Sequence, residues 1–217
     1  MTLVPDSSNV TVRICHADGS SKIKVVPFDR FLQVLQNSSV DIRGCARVGF
    51  CPQLYDCIWA EPGTFRAVYV IEPQIGVVQY MADTYMVPFP GLCFMFEVQK
   101  GKPTRTEVFS LRGGRVTDKT PLCHYPFGNV YLDGHICWGG NSLPADIMSV
   151  SDGLRLVALF MSAPTNNDLW QMSFVNVEKL GREPLLSKIY SFLDGKKSFP
   201  EGALVPAGKT VGDLFNN

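Results

Sequence analysis

The chain has 217 residues, with 20 Lys and Arg set against 20 Asp and Glu and only 18% charged residues in all. That length buries a core within one domain plus an extension, or at most two small domains, and a formal net charge of zero excludes nucleic acid or anionic lipid as partners held by bulk electrostatics. The start of the chain has neither the basic residues nor the apolar centre of a signal peptide, and no apolar run reaches spanning length, so a soluble cytoplasmic protein is expected.

Val10, Val12 and Cys15 lead into Asp18-Gly19, with Ile23, Val25 and Val26 beyond, which predicts a hairpin over 10–26. Pro27 suits a helix start, and Phe28, Phe31, Leu32 and Leu35 share one helical face up to Asn37. Gly44, Gly49 and Pro52 then interrupt any period. Strand signals follow in series: 57–60, a turn at Glu61-Pro62-Gly63-Thr64, the alternation of Phe65, Ala67, Tyr69 and Ile71, then 75–80. Pro88-Phe89-Pro90-Gly91 reads as a break. Leu92, Phe94, Phe96 and Val98 alternate again, 100–103 reads as a turn, and 107–111 as a further strand. Strands joined by short turns predict an antiparallel meander. Leu111-Arg112-Gly113-Gly114 looks like a ubiquitin tail, but mid-chain it reads as a tight turn.

Beyond a central segment at 124–138, Ser142-Leu143-Pro144 suits a helix start, and Ile147, Val150, Leu154, Val157 and Met161 form one stripe, ended at Ala163-Pro164. Residues 165–168 are polar loop, 169–177 fit strand or helix, and 183–193 read as a second helix between Pro184 and Asp194-Gly195. The tail from Lys196 has little periodicity and is expected to lie over the surface or fray. Two parts are expected: a core over 1–165 carrying the N-terminal hairpin, and a C-terminal helical extension and tail over 166–217.

Seven cysteines occur, Cys15, Cys45, Cys51, Cys57, Cys93, Cys123 and Cys137, and reduced thiols serving as small buried hydrophobes are expected for most. The six-residue spacing of Cys45, Cys51 and Cys57 lacks the paired short spacings of a zinc site, so no metal is expected. Neither G-x-x-x-x-G-K-[ST] nor G-x-G-x-x-G occurs, and no cofactor is expected.

The chemistry concentrates in His124 to Trp138. Asp133-Gly134 is a strong two-residue turn, which folds Asn129 back towards Cys137, and His135 and Cys137 fall on one side of extended chain. A thiol beside a neutral amide donor suits acyl transfer, the thiolate attacking a carbonyl and the amide stabilising the oxyanion. A free thiol's pKa is about 8.5, so Cys137 needs help to ionise, and His135 or His124 is a candidate for that role. Asn129 alternatively braces the loop by bonding backbone, and Tyr125, Tyr131 and Trp138 are read as packing residues.

Asn129, the Asp133-Gly134 turn and Ile136-Cys137 resemble the active-site signature of ubiquitin-conjugating enzymes, with the same spacing from Asn to Cys. Pro121-Leu122-Cys123-His124 through Gly139 resembles a bacterial branch more closely: prokaryotic ubiquitin-conjugating family D, the PRTRC system protein B group. Ile58-Trp59 with Pro62 and Pro90-Gly91-Leu92-Cys93-Phe94 extend the resemblance more loosely. One departure is local: Phe127-Gly128 stand where eukaryotic members carry His-Pro.

The resemblance implies an α+β ubiquitin-conjugating-type fold, an N-terminal helix, an antiparallel meander and helices after the cysteine loop. It implies Cys137 as the thioester-forming residue and Asn129 as oxyanion donor. Its partners would be a ubiquitin-like protein, a ThiF-like activating enzyme and an amine acceptor, and Asp168 lies where the family often keeps a polar residue beside the acceptor. Thiol-for-thiol exchange is near isoenergetic, which fits a chain without nucleotide motifs. Two other readings stay open: a non-catalytic module that only binds a ubiquitin-like partner, and a cysteine hydrolase using Cys137 with His124 or His135.

Overall fold

The computed structural model describes residues 9–15, 21–27, 51 and 53–216. The backbone forms two units, 1–46 and 47–217. In the first, β1 (Asn9–Cys15) pairs antiparallel with β2 (Ser21–Pro27), Val10 opposite Val26 and Cys15 opposite Ser21. The hairpin is as its alternation predicts. Its turn at Asp18-Gly19 and the helix expected over 28–37 lie outside the described residues.

The second unit is built on β3 (Leu54–Glu61), β4 (Thr64–Ile71), β7 (Gly91–Gln99), β8 (Lys102–Leu111), β9 (Pro121–Cys123) and β10 (Pro206–Thr210). They form one six-stranded antiparallel sheet in the order β10-β9-β8-β7-β4-β3. Strand β7 lies inside it, and its Leu92, Cys93, Phe94, Met95, Phe96 and Val98 are all fully buried. Each such apolar side chain contributes about 1.5–3 kcal/mol, so a strand covered on both faces reads as an apolar run rather than a clean alternation. Lys100 and Gly101, with φ of 51° and 78°, make the two-residue β7–β8 turn whose twist matches its strands.

The meander expectation needs one correction. Strand β4 pairs directly with β7, Phe65 opposite Val98 through Ile71 opposite Leu92, while 74–89 leaves the sheet as a separate ribbon. That ribbon is β5 (Gln74–Tyr80) with β6 (Asp83–Phe89). Pro88 reads as a breaker in the sequence, yet proline is tolerated on an edge strand, where no N–H is required on the open side.

Two apolar layers cover the sheet. On one face pack α1 (Leu154–Ser162), through Leu156, Val157 and Phe160, and α2 (Leu186–Leu193), through Leu186, Ile189, Tyr190 and Leu193. On the other, Val68, Cys93, Met95, Phe109, Leu111 and Leu122 meet Val211 and Leu214 from the C-terminus. The tail therefore closes a core layer instead of fraying. The stripe expected from Ile147 becomes helical only from Leu154, after a 3-10 turn at Val150–Gly153 capped by Ser149 and Asp152. Residues 169–177, open to either reading, hold a 3-10 turn at Met172–Phe174. A mostly antiparallel sheet with two short helices is compatible with the α+β fold that the resemblance implies. Among the described residues, no helix is long and apolar enough to cross a membrane.

Candidate active site

The segment after β9 is a miniature hairpin laid against β8. Cys137 N–H donates to the Asn129 carbonyl at 2.9 Å, Tyr131 N–H to the His135 carbonyl at 2.9 Å, and Gly134 N–H to the Tyr131 carbonyl at 3.0 Å. Val130 and Ile136 form the bridge between these pairs and are both buried. Alternation then turns Tyr131, His135 and Cys137 towards the opposite, open side. Gly134 has φ of 95°, and a Cβ there would sit 2.2 Å from the Phe109 ring, so both the turn and the contact with the sheet require glycine.

Strand β8 anchors the far arm: Ile136 N–H donates to the Thr106 carbonyl at 3.0 Å and Val108 N–H to the Gly134 carbonyl at 2.9 Å. Trp138 Nε1 donates to Thr106 Oγ1 at 2.9 Å, and Lys209 Nζ of β10 donates to the Asp133 carbonyl at 3.2 Å. Glu107, 1% exposed, takes Arg105 on Oε1 at 2.6 Å, and among the described residues its Oε2 has no hydrogen bond. A buried carboxylate beside the loop is stabilised chiefly by that guanidinium.

Asn129 holds φ of 67°, a region Asn enters more readily than most residues. Its Nδ2 donates to the Pro164 carbonyl at 2.8 Å, so the amide ties the loop to the turn after α1. Gly128 permits that approach, because a Cβ there would lie 2.7 Å from the Asn166 carbonyl oxygen. Tyr190 joins the same two segments: its ring lies 5.3 Å from that of Phe127 and its hydroxyl 3.1 Å from Thr165 Oγ1. Phe127 is fully buried against the rings of Phe89, Tyr125, Tyr190 and Phe199. Aromatic packing and the Pro164 contact thus support Asn129 where His-Pro is absent.

The two candidate histidines are placed differently. His135 Nδ1 lies 3.8 Å from Glu107 Oε1 and 3.7 Å from Asp133 Oδ2, between two carboxylates on the open side. His124 stacks on Phe174 at 5.2 Å, and burial, with Lys209 nearby, pulls its pKa below the usual imidazole value. Among the described residues neither ring hydrogen-bonds Cys137. Asp168 is engaged locally, accepting from Asn166 Nδ2 at 2.9 Å.

Cys137 is a half-buried thiol outside any disulfide. Across the hairpin Tyr131 shares its open face, and interaction with Cys137 holds the Tyr131 phenol above its usual pKa. Sequence reasoning assigned Tyr131 to packing. The available signal was the alternation that joins His135 and Cys137, which reaches Tyr131 once Asn129 is paired with Cys137. Tyr131, Leu132, Asp133, His135 and Gln171 line a shallow groove of about 620 Å³ at this hairpin.

No curated protein and no solved structure matches the chain. The model of the family described as prokaryotic E2 family D matches residues 51–207, a span that contains strands β3 to β9, both helices and the whole hairpin of Asn129 and Cys137. E2 denotes the conjugating component of ubiquitin-like systems, and the chain belongs to prokaryotic E2 family D.

Proposed function

We propose that Cys137 accepts the C-terminus of a ubiquitin-like protein as a thioester from a ThiF-like activating enzyme and passes it to an amine. One observation carries this: Cys137 ends a tight hairpin, its N–H bonded to the Asn129 carbonyl at 2.9 Å, within the segment that the family match covers. Asn129 stabilises the oxyanion in this reading. Its amide nitrogen carries two protons, and the bond to Pro164 occupies one and orients the other. His135, between Glu107 and Asp133, is the group that receives the acceptor amine's proton. His124 serves as a neutral stacked ring that fixes the start of the segment.

The test mixes the chain with a candidate activating enzyme, its ubiquitin-like protein and ATP, then compares non-reducing and reducing gels for wild type and Cys137→Ala. A thiol-sensitive band of higher mass, absent in Cys137→Ala, is expected. No band, with the activating enzyme charging itself, rejects conjugation for that pair. It would favour the non-catalytic binding module, the reading to which the engagement of Asn129 by Pro164 and the replacement of His-Pro lend support.

A further inference from the structure

We propose that the free edge of β5 is a docking site for a partner protein: an extended, uncharged peptide segment adds to the β5–β6 ribbon as a third strand, in the trough between β5 and α1. The site is independent of the role assigned to Cys137.

Hydrogen bonding fixes which backbone groups face outward. Val77 stands opposite Met86, and Ile75 opposite Pro88. Met86 N–H donates to Asp194 Oδ1 at 2.8 Å and its carbonyl accepts Gly195 N–H at 3.0 Å, so Met86 directs both groups away from β5. Directly opposed residues of an antiparallel ladder either exchange both bonds or both turn outward. Val77 therefore directs its own N–H and C=O away from β6. Gln79, two residues on, does the same, its carbonyl accepting Thr165 N–H at 2.8 Å. Ile75, two residues back, shares the direction by the strand's period of two, in agreement with Pro88 opposite, which has no N–H to exchange. The outer edge of β6 is thus closed by the end of α2 and by a proline. Among the described residues, nothing bonds the outward groups of Ile75 and Val77.

The trough selects the occupant. It encloses about 430 Å³ between Ile75, Gly76 and Val77 of the edge, Ala158 and Met161 of α1, and Phe89. A Cβ at Gly76 would lie 2.7 Å from the Phe89 ring, so glycine lets that ring pack against bare backbone. No residue lining the trough is charged. A charged side chain brought into it would lose water without gaining a counter-ion, which favours an uncharged segment. The unpaired groups are backbone donors and acceptors at strand spacing, which favours an extended one. Ile75, Val77 and Met86 are all exposed and continue as an apolar face for alternate side chains of the added strand. Strand β5 also lacks the devices that protect open edges, since 74–81 contains no Lys, Arg, Asp, Glu or Pro. A single strand fits this space, whereas a second copy would bring its whole ribbon and α1 with it. The trough ends at Thr165, whose neighbour Pro164 accepts the Asn129 amide at 2.8 Å, so the bound segment abuts the turn that braces the candidate site.

The test selects a phage-displayed library of random decapeptides on the full-length chain. A recovered peptide is synthesised with two analogues, N-methylated at alternate residues in the two possible registers. Binding to wild type, Val77→Pro and Ala158→Arg is measured by fluorescence anisotropy. Val77→Pro removes an outward N–H at an edge position where proline is tolerated. Ala158→Arg fills the trough from an exposed helical position that arginine suits, and unchanged thermal unfolding verifies each fold.

Recovered peptides are expected to be uncharged, with β-branched residues alternating through their centre. One N-methylated analogue should bind as the parent does and the other should lose about tenfold or more, as should each substituted chain. Deuterium exchange at the Ile75 and Val77 amides should be fast in the free chain and slow in the complex, with Gly76 and Val78 protected in both. Recovery of no peptide, equal binding of both analogues, binding indifferent to both substitutions, or unchanged exchange at Ile75 and Val77 would overturn the proposal. Slow exchange at these amides in the free chain would overturn it too: protection that fades on dilution assigns the edge to a second copy, and protection that persists assigns it to the chain itself.

Discussion

Asn129 carries three demands in one side chain: a backbone at φ of 67°, a bond to Pro164, and in our reading a donor to the oxyanion. Two substitutions separate them. Alanine loses the amide and is strained at positive φ, for a combined cost of about 2–3 kcal/mol, whereas glycine accepts the backbone and costs about 1 kcal/mol. Loss of an oxyanion donor costs about 2.7–4 kcal/mol in the transition state whichever residue replaces it. Amine discharge from pre-charged protein should therefore slow to a similar degree in Asn129→Ala and Asn129→Gly, while urea midpoints separate the two. Discharge rates that follow the midpoints would reduce Asn129 to a brace. The pairing of Asn129 with Cys137 was legible in their spacing about the Asp133-Gly134 turn. The tie of Asn129 to Pro164 was not, since a side chain meeting a carbonyl 35 residues away leaves no local pattern.

At the scale of elements, the site is a hairpin held on two sides, by β8 through Thr106 and Val108 and by the turn after α1 through Pro164. Gly128 sets the second spacing. In Gly128→Ala the new Cβ, 2.7 Å from the Asn166 oxygen, must push the segments apart, and overpacking of this kind costs about 1–3 kcal/mol. The expected signature is local: the amide of Cys137, bonded to Asn129, should exchange faster with deuterium than in wild type, while the amides of β7 stay protected. Uniform loss of protection would instead mean that the whole unit had loosened. Sequence pattern located Asp133-Gly134 because turn chemistry is local. It missed β6, because proline reads as a breaker until strand pairing shows which edge it occupies. It also placed the helix start too early, because Ile147 and Val150 reach the core ahead of the α-helix, Val150 from a 3-10 turn.

For the whole molecule, the packing that closes the sheet also sets how stability depends on pH. Burial holds neutral His124 below its ordinary 6.5, and Arg66, Ser149 and Thr210 bond Glu97, Asp152 and Asp213 below their ordinary carboxylate values. Each folded-state pKa is depressed, so the unfolded chain binds the extra proton. Their stabilisation is complete above the ordinary values and is lost as pH falls through the folded ones. On the alkaline side burial pushes Cys93 up from 9.0 to about 12 and raises Cys123, so that contribution is complete below 9.0 and is lost as pH rises. Urea midpoints should form a plateau from about pH 6.5 to 9, with a first decline below 6.5 that His124→Phe removes and a second below the carboxylate range that it leaves. An unchanged first decline in His124→Phe would assign it to another group.

The sequence by itself determined the strand alternation, the Asp133-Gly134 turn, the register from Asn129 to Cys137 and the family resemblance, because each depends on residues close together in the chain. Tertiary structure alone decided the rest. It paired β4 with β7 and set the β5–β6 ribbon aside, turned an aperiodic tail into β10 and a core layer, and fixed Asn129 through Pro164 and Tyr190. It also stacked His124 on Phe174. These outcomes depend on contacts between segments far apart in the chain, where side-chain volume and unpaired backbone groups select the neighbour and no spacing records the choice.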